Sequence, residues 1–169
     1  MKKVVKFGGS SLASAGQFKK AARIVRADKT RIYVVPSAPG KRFSSDTKVT
    51  DMLYGCYGAA IREKDFTEQL EAIKARYQEI IDGLKLSMSL EDEFKTIREN
   101  FGKKIGRDYA ASRGEYLNGK IMAAYLGFEF IDAAEVIRFD KEKVFDDETT
   151  NTLLAERLRN SSGAVIPGF

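Results

Sequence analysis

The chain has 169 residues, 43% hydrophobic and 31% charged, and its 29 basic and 24 acidic residues leave a net charge of +5. One cysteine and no histidine exclude an intrachain disulfide, Ser-His-Asp or Cys-His catalysis and the commonest zinc sites. No apolar run approaches the roughly 18 residues of a membrane span, and the N-terminus lacks the apolar core of a signal peptide, so the expected location is the cytoplasm.

Val4 to Phe7 reads as a buried strand that delivers Lys6 and then Gly8-Gly9-Ser10-Ser11. Successive backbone N–H groups freed by glycines form an anion nest, and a neighbouring lysine adds a compact positive charge. The segment reads as a phosphate cradle, although the P-loop spacing is absent. It also fits a strand that ends in a tight turn before a helix. Gln17 to Ala27 is the first predicted helix, with Phe18, Ala21, Ala22 and Val25 at helical spacing. Ile32 to Val35 is a second strand, cut off by Pro36. Residues Ser37 to Asp46 form a Ser/Pro/Gly-rich loop, in which Lys41 and Arg42 are expected to be mobile and solvated, with reach to a phosphate as the alternative. Helical pattern returns from Thr50 to Ile61. This β-α-β-α order predicts a parallel sheet with helices on its faces.

A helical excursion follows at about 65–126 and is expected to cover one edge of the sheet. Phe66, Leu70, Ile73, Tyr77, Ile80, Ile81 and Leu84 mark a long amphipathic helix, with Asp65 and Glu68 spaced like a capping box and Gly83 near its end. Ser89 is placed to cap a second helix carrying Leu90, Phe94, Ile97 and Phe101. A third spans Arg107 to Leu126, with Gly127 as its stop. Phe128 to Asp132 and Glu135 to Phe139 read as strands, Thr150 to Arg159 as a helix, and Ala164 to Ile166 as a final buried strand. Lys103, Lys104 and Arg107 form the densest basic cluster. They read as a solvated helical face rather than a nucleic-acid patch, since aromatic residues do not alternate with them.

Five stretches in order carry a family resemblance. They are Lys6-Phe7-Gly8-Gly9-Ser10-Ser11, Val34-Val35-Pro36-Ser37-Ala38-Pro39-Gly40, Lys48-Val49-Thr50-Asp51, Ser112-Arg113-Gly114-Glu115 and the closing Val165-Ile166-Pro167-Gly168-Phe169. Together they resemble the aspartate kinases of the amino acid kinase superfamily. The resemblance implies a three-layer αβα sandwich with a mainly parallel sheet. It also implies a reaction, the phosphorylation of the L-aspartate β-carboxylate by ATP with Mg²⁺ to give 4-phospho-L-aspartate, the first step towards lysine, threonine and methionine. Implied partners are L-aspartate and ATP, with no nucleic acid and no membrane, and with room for a homo-oligomer.

By the same resemblance, Lys6 contacts the transferring phosphoryl group. Gly8, Gly9 and Ser10 supply donors to the phosphates, Ser37 holds the acceptor carboxylate, Thr50 binds aspartate, and Glu115 pairs with the substrate ammonium. Arg113 is a further candidate for substrate binding, and no metal ligand is assigned. Local chemistry offers other duties: an ST-turn for Ser37, an N-cap for Thr50, a solvated surface position for Glu115. Residues 1–169 are expected to be the acceptor-binding part of a kinase domain. The nucleotide-binding part and regulatory ACT domains would lie beyond Phe169, and the chain alone would be inactive. Two alternatives remain: an amino acid kinase acting on a different carboxylate, or a non-catalytic nucleotide- or anion-binding module.

Overall fold

A computed structural model describes residues 1–168; the closing motif therefore falls within the description except for Phe169. In chain order the elements are β1 (Lys3–Phe7), α1 (Ala15–Arg26), β2 (Arg31–Pro36), α2 (Val49–Ile61), α3 (Thr67–Leu84), α4 (Glu91–Gly102), α5 (Arg107–Leu126), β3 (Glu129–Phe130), α6 (Ala133–Val136), α7 (Asp147–Leu158) and β4 (Ala164–Val165). A short 3₁₀ turn, Gly9–Leu12, separates β1 from α1.

All pairings in the four-stranded sheet are parallel, in the order β1-β2-β4-β3. Side chains alternate between faces along each strand. Val34 and Val165 point into the larger core, where Leu117 and Ile121 of α5 and Phe18 of α1 meet them. Tyr33 and Ala164 point the other way, into a smaller cluster with Ile131, Val136 and the leucines of α7. The result is three layers, helix–sheet–helix, as expected from the sequence.

The helical excursion lies on a face of the sheet and not along its edge. The edge strands are β1 and β3, whereas α5 packs on the central strands β2 and β4 as well as on β3. Four local expectations also change. Asp65 accepts from the Thr67 N–H at 2.9 Å, an Asx-type contact, so the box with Glu68 does not form. Gly83 does lie near the end of α3, which closes through Lys85 in the left-handed region (φ 58°), and it makes room for α1, since a Cβ there would lie 2.5 Å from that of Ala15. Glu135 to Phe139 is not a strand: Asp132 caps the short helix α6 through the Ala134 N–H at 3.0 Å, and Phe139 instead bridges to Phe145. Pro36 is the last residue of β2, opposite Phe7, because the next bond to β1 is donated by Ser37. Ser89 likewise stands one residue outside the cap position, which Leu90 holds, and accepts from the Glu91 N–H, while the stop at Gly127 (φ 72°) is as the sequence indicates.

Candidate functional site

Parallel strands open their loops at one end, and ligands of such sheets bind outside the carboxyl ends of the strands. Here that end holds a cleft of about 440 Å³, lined by Gly9 and Ser10 after β1, residues 37–41 after β2, Lys48 and Thr50 at the start of α2, and Glu115 of α5. Of the sequence candidates, Gly9, Ser10, Ser37, Thr50 and Glu115 therefore converge, although up to 106 residues separate them in the chain. Two cations, Lys41 and Lys48, and one carboxylate, Glu115, face the same space. A cleft with this charge set suits a ligand carrying several negative charges and one ammonium.

The walls are fixed by backbone and buried side chains. Gly40 donates its N–H to the Gly9 carbonyl at 2.8 Å, and the Val49 N–H reaches the Pro39 carbonyl at 3.1 Å. These bonds lock the loop after β2 to the turn after β1 and to the first residue of α2. Gly114 brings α5 close, since a Cβ there would sit 2.8 Å from that of Ala38. The next residue, Glu115, accepts from the Gly168 N–H through Oε2 at 3.0 Å, which links α5 to the exit from β4. Asn118, fully buried one turn further on, donates Nδ2 to the Ser37 carbonyl at 2.6 Å.

Three sequence candidates do not line the cleft. Lys6 is solvent-exposed one residue before the end of β1, opposite Val35 in the register. Gly8 is exposed and precedes the 3₁₀ turn in extended backbone, with open space where a Cβ would point, so no close approach demands glycine there. Arg113 lies outside the cleft: its guanidinium stacks on Tyr109 and Tyr116, at 4.7 and 4.3 Å from the ring centroids, and donates to Ser112 Oγ. This half-buried stacking explains why the arginine of the Ser-Arg-Gly-Glu motif points away while the glutamate two residues on points in.

The 41–47 loop is held, not loose. Arg42 pairs with Asp46 at 2.9 Å and Glu79 at 2.8 Å, which removes it from phosphate contact, while Lys41 does line the cleft. Arg76 of α3, only 5% exposed, donates to the Gly40 carbonyl at 3.1 Å, the Thr47 carbonyl at 3.2 Å and Asp46. Hydrogen bonds from the side chain and backbone of Arg42, joined by the Arg76 charge, hold the Asp46 carboxyl well below the usual carboxylate range. Tyr77, the next residue, is buried and donates its hydroxyl to the Gly114 carbonyl at 2.7 Å. Burial pushes that phenol well above its ordinary pKa and keeps it a donor.

Sequence reasoning missed Lys48, Arg76, Tyr77 and Asn118. For Arg76 a signal existed: it falls between Ile73 and Ile80 on the apolar stripe of α3, where an arginine is buried only if acceptors await it.

An open parallel sheet with a cleft beyond its strand ends, lined by two lysines and a glutamate, defines an α/β protein whose cleft suits a small charged molecule. The profile of the amino acid kinase family matches residues 1–169, and the chain belongs to that family. It is similar to Aspartokinase 3 of Bacillus subtilis (strain 168), 38% identical over an alignment covering 99% of this chain and 40% of the relative. The crystal structure of Clostridium acetobutylicum aspartate kinase superposes on the whole chain with a TM-score of 0.95 at 46% identity, over 39% of its own length. The fold is also that of E. coli aspartokinase III, solved in complex with aspartate and ADP, with a TM-score of 0.78 at 21% identity. The chain thus spans about two fifths of the length of the relatives it matches. Among the described residues no helix is long and apolar enough to cross a membrane.

Proposed function

We propose that this chain forms the acceptor-binding part of an ATP-dependent aspartate kinase, which phosphorylates the β-carboxylate of L-aspartate to give 4-phospho-L-aspartate, the entry to lysine, threonine and methionine synthesis in the cytoplasm. The observation that carries this reading is the convergence of Gly9, Ser10, Ser37, Thr50 and Glu115 on one cleft. The similarity to aspartokinases of two bacteria, and the aspartate and ADP bound by the E. coli relative, support it. The nucleotide-binding part and the regulatory domains belong, on this reading, to the portion of the relatives that the chain does not span.

The chemistry suits a cleft without histidine. A carboxylate acceptor is ionised at neutral pH and needs no general base. One of its oxygens attacks the γ-phosphorus, and the bond from that phosphorus to the ADP oxygen breaks. The main obstacle is repulsion between anions, about 4 kcal/mol for two unit charges at about 4 Å with an effective dielectric near 20. Lys41, Lys48, the N–H groups of Gly9 and Ser10 and the hydroxyls of Ser10 and Ser37 oppose that repulsion from the cleft wall. Thr50 offers a hydroxyl to the acceptor, and Glu115 receives its ammonium. Lys6 serves the transferring phosphoryl group from outside the lining described above.

Magnesium fits the cleft poorly as a resident ion. Among the described residues no group of three or more acidic, cysteine or histidine side chains is placed to hold a metal, and Glu115 is the cleft's one carboxylate. The donor set suits phosphate and ammonium, so the metal belongs with the incoming nucleotide.

The test is a hydroxamate assay on the full-length gene product with ATP and a panel of carboxylate acceptors. Aspartate-dependent turnover is expected, with residues 1–169 alone showing none of substance. Turnover on a different acceptor alone would reassign the protein within the family. Nucleotide binding without turnover on any acceptor would make it a binding module.

A further inference from the structure

We propose that Arg76 is a positioning residue for the acceptor, setting the geometry of the cleft through Gly40 and the loop that follows it; the inference rests on the cleft being the acceptor site. Arg76 does not line the cleft. Its guanidinium acts on residues that do.

A buried arginine is tolerated only where acceptors match its planar fork of donors. Here both terminal nitrogens find their acceptors in one loop, while Nε has no partner among the described residues, and the two carbonyls stand at the two ends of the 41–47 segment: Gly40, four residues past β2, and Thr47, just before Lys48 and α2. Asp46 supplies the countercharge, with 8% of its side chain exposed. A rigid fork that holds both ends of a loop sets the distance between them. Gly40 is at the same time bonded to Gly9, and Pro39 to Val49. The position of Arg76 is therefore passed through Gly40 to Gly9 by one hydrogen bond, and along the chain from Gly40 to Lys41 and from Thr47 to Lys48, three lining residues. Tyr77 fixes the facing wall through Gly114, beside Glu115. Two consecutive residues of α3 thus support both sides of the cleft without entering it.

Arg98, with 41% of its side chain exposed, provides a comparison away from the cleft. It is also an interhelical arginine, donating to Thr67 Oγ1 at 3.0 Å and Glu71 at 3.2 Å, but it touches no residue of the cleft.

The experiment compares Arg76→Met, Arg76→Lys and Arg98→Met in the full-length protein, reading KM for aspartate, KM for ATP, kcat, and amide hydrogen exchange across residues 39–50. Arg76→Met is expected to raise the aspartate KM roughly 10-fold or more, with kcat within about 3-fold and the ATP KM unchanged. Exchange at the Gly40 and Val49 amides should quicken. Arg76→Lys keeps the charge on Asp46 but cannot span both carbonyls, so it should fall between wild type and Arg76→Met. It also carries the test if Arg76→Met does not fold. Arg98→Met should leave the aspartate KM and the Gly40 exchange as they are. A folded Arg76 variant with unchanged KM and unchanged exchange would overturn the proposal. So would an equal KM change in Arg98→Met, which would mark general loosening. If the protein prefers another acceptor, the KM for that acceptor is read instead. If it turns over none, the exchange at Gly40 and Val49 decides alone, so loss of the aspartate assignment still leaves the positioning role tested.

Discussion

Gly9 and Gly40 meet backbone to backbone. A Cβ on Gly9 would lie 2.8 Å from the Ala38 carbonyl oxygen, and one on Gly40 would lie 2.7 Å from the Gly9 carbonyl carbon, while the Gly40 N–H donates to the Gly9 oxygen. Neither glycine is required by an unusual φ; both are required by space. Because the opposing atoms are backbone, they cannot swing aside. Gly40→Ala should therefore cost about 1–3 kcal/mol of stability, in the range of overpacking, and should weaken aspartate binding more than it slows turnover. Gly8→Ala, where a Cβ meets nothing, is the control and should be near neutral in stability. Urea unfolding of the pair checks this, and equal losses would refute the steric account.

Glu115 stands between the cleft and the Gly168 N–H. If its carboxylate receives the substrate ammonium, Glu115→Gln removes a charge-assisted bond worth about 1.5–3 kcal/mol. The aspartate KM should then rise by roughly 10- to 100-fold, with a smaller effect on kcat. Steady-state kinetics over a range of aspartate concentrations reads this directly. A normal KM would make the glutamate a structural link between α5 and the exit from β4.

Much of the site could be read in the sequence, because motif residues at strand ends are local signals. Gly9, Ser37 and Thr50 each follow or start an element whose hydrophobic period is clear. What could not be read is the packing between distant elements. Nothing near Asn118 in sequence indicates that its side chain reaches Ser37, 81 residues away. Arg113 and Glu115 lie two apart on α5, and only the stacking of Arg113 on Tyr109 and Tyr116 decides which one enters the cleft. The stretch Glu135 to Phe139 was ambiguous for a related reason: its apolar residues fit a strand, but the cap supplied by Asp132 turns the chain into a helix.

Asp46 gives the loop an acid sensitivity. Its carboxyl is held below the ordinary value of 3.8, first by hydrogen bonds from Arg42 and then by the charge of Arg76, with Glu79 on the far side of Arg42. A group whose pKa is depressed on folding stabilises the protein above its unfolded pKa, and that contribution is lost as pH falls. Thermal stability should therefore drop on acidification through and below the pH 4 region, about the unfolded pKa of aspartate. Asp46→Asn should lower the melting temperature at neutral pH and flatten this acid limb. A limb as steep in Asp46→Asn as in wild type would assign the sensitivity to other carboxylates, such as Asp28 beside Lys3.

Cys56, 1% exposed in α2, offers an independent measure of folding. Burial pushes its thiol up to about 11, so almost no thiolate exists at pH 8. A thiol reagent should react with the native protein at the rate of opening and with the urea-unfolded protein promptly. Prompt reaction of the native protein would mean that α2, and with it Thr50, opens far more readily than its packing suggests.

Lys6 poses the sharpest question for catalysis. It lies one residue from the end of β1 and is exposed, whereas Gly9 and Ser10 face the cleft. A lysine there adds little to stability, because an exposed ammonium on a strand has no buried partner to lose. Its value lies in the transition state, where charge builds on the transferring phosphoryl group and one positive donor counts for about 10²–10³ in rate. Lys6→Ala in the full-length protein should lower kcat by that factor. The melting temperature and the aspartate KM should stay close to wild type. The split separates catalytic from structural roles: a lost kcat with unchanged stability assigns Lys6 to the phosphoryl group, while an unchanged kcat removes it from the reaction and leaves the charge work to Lys41 and Lys48.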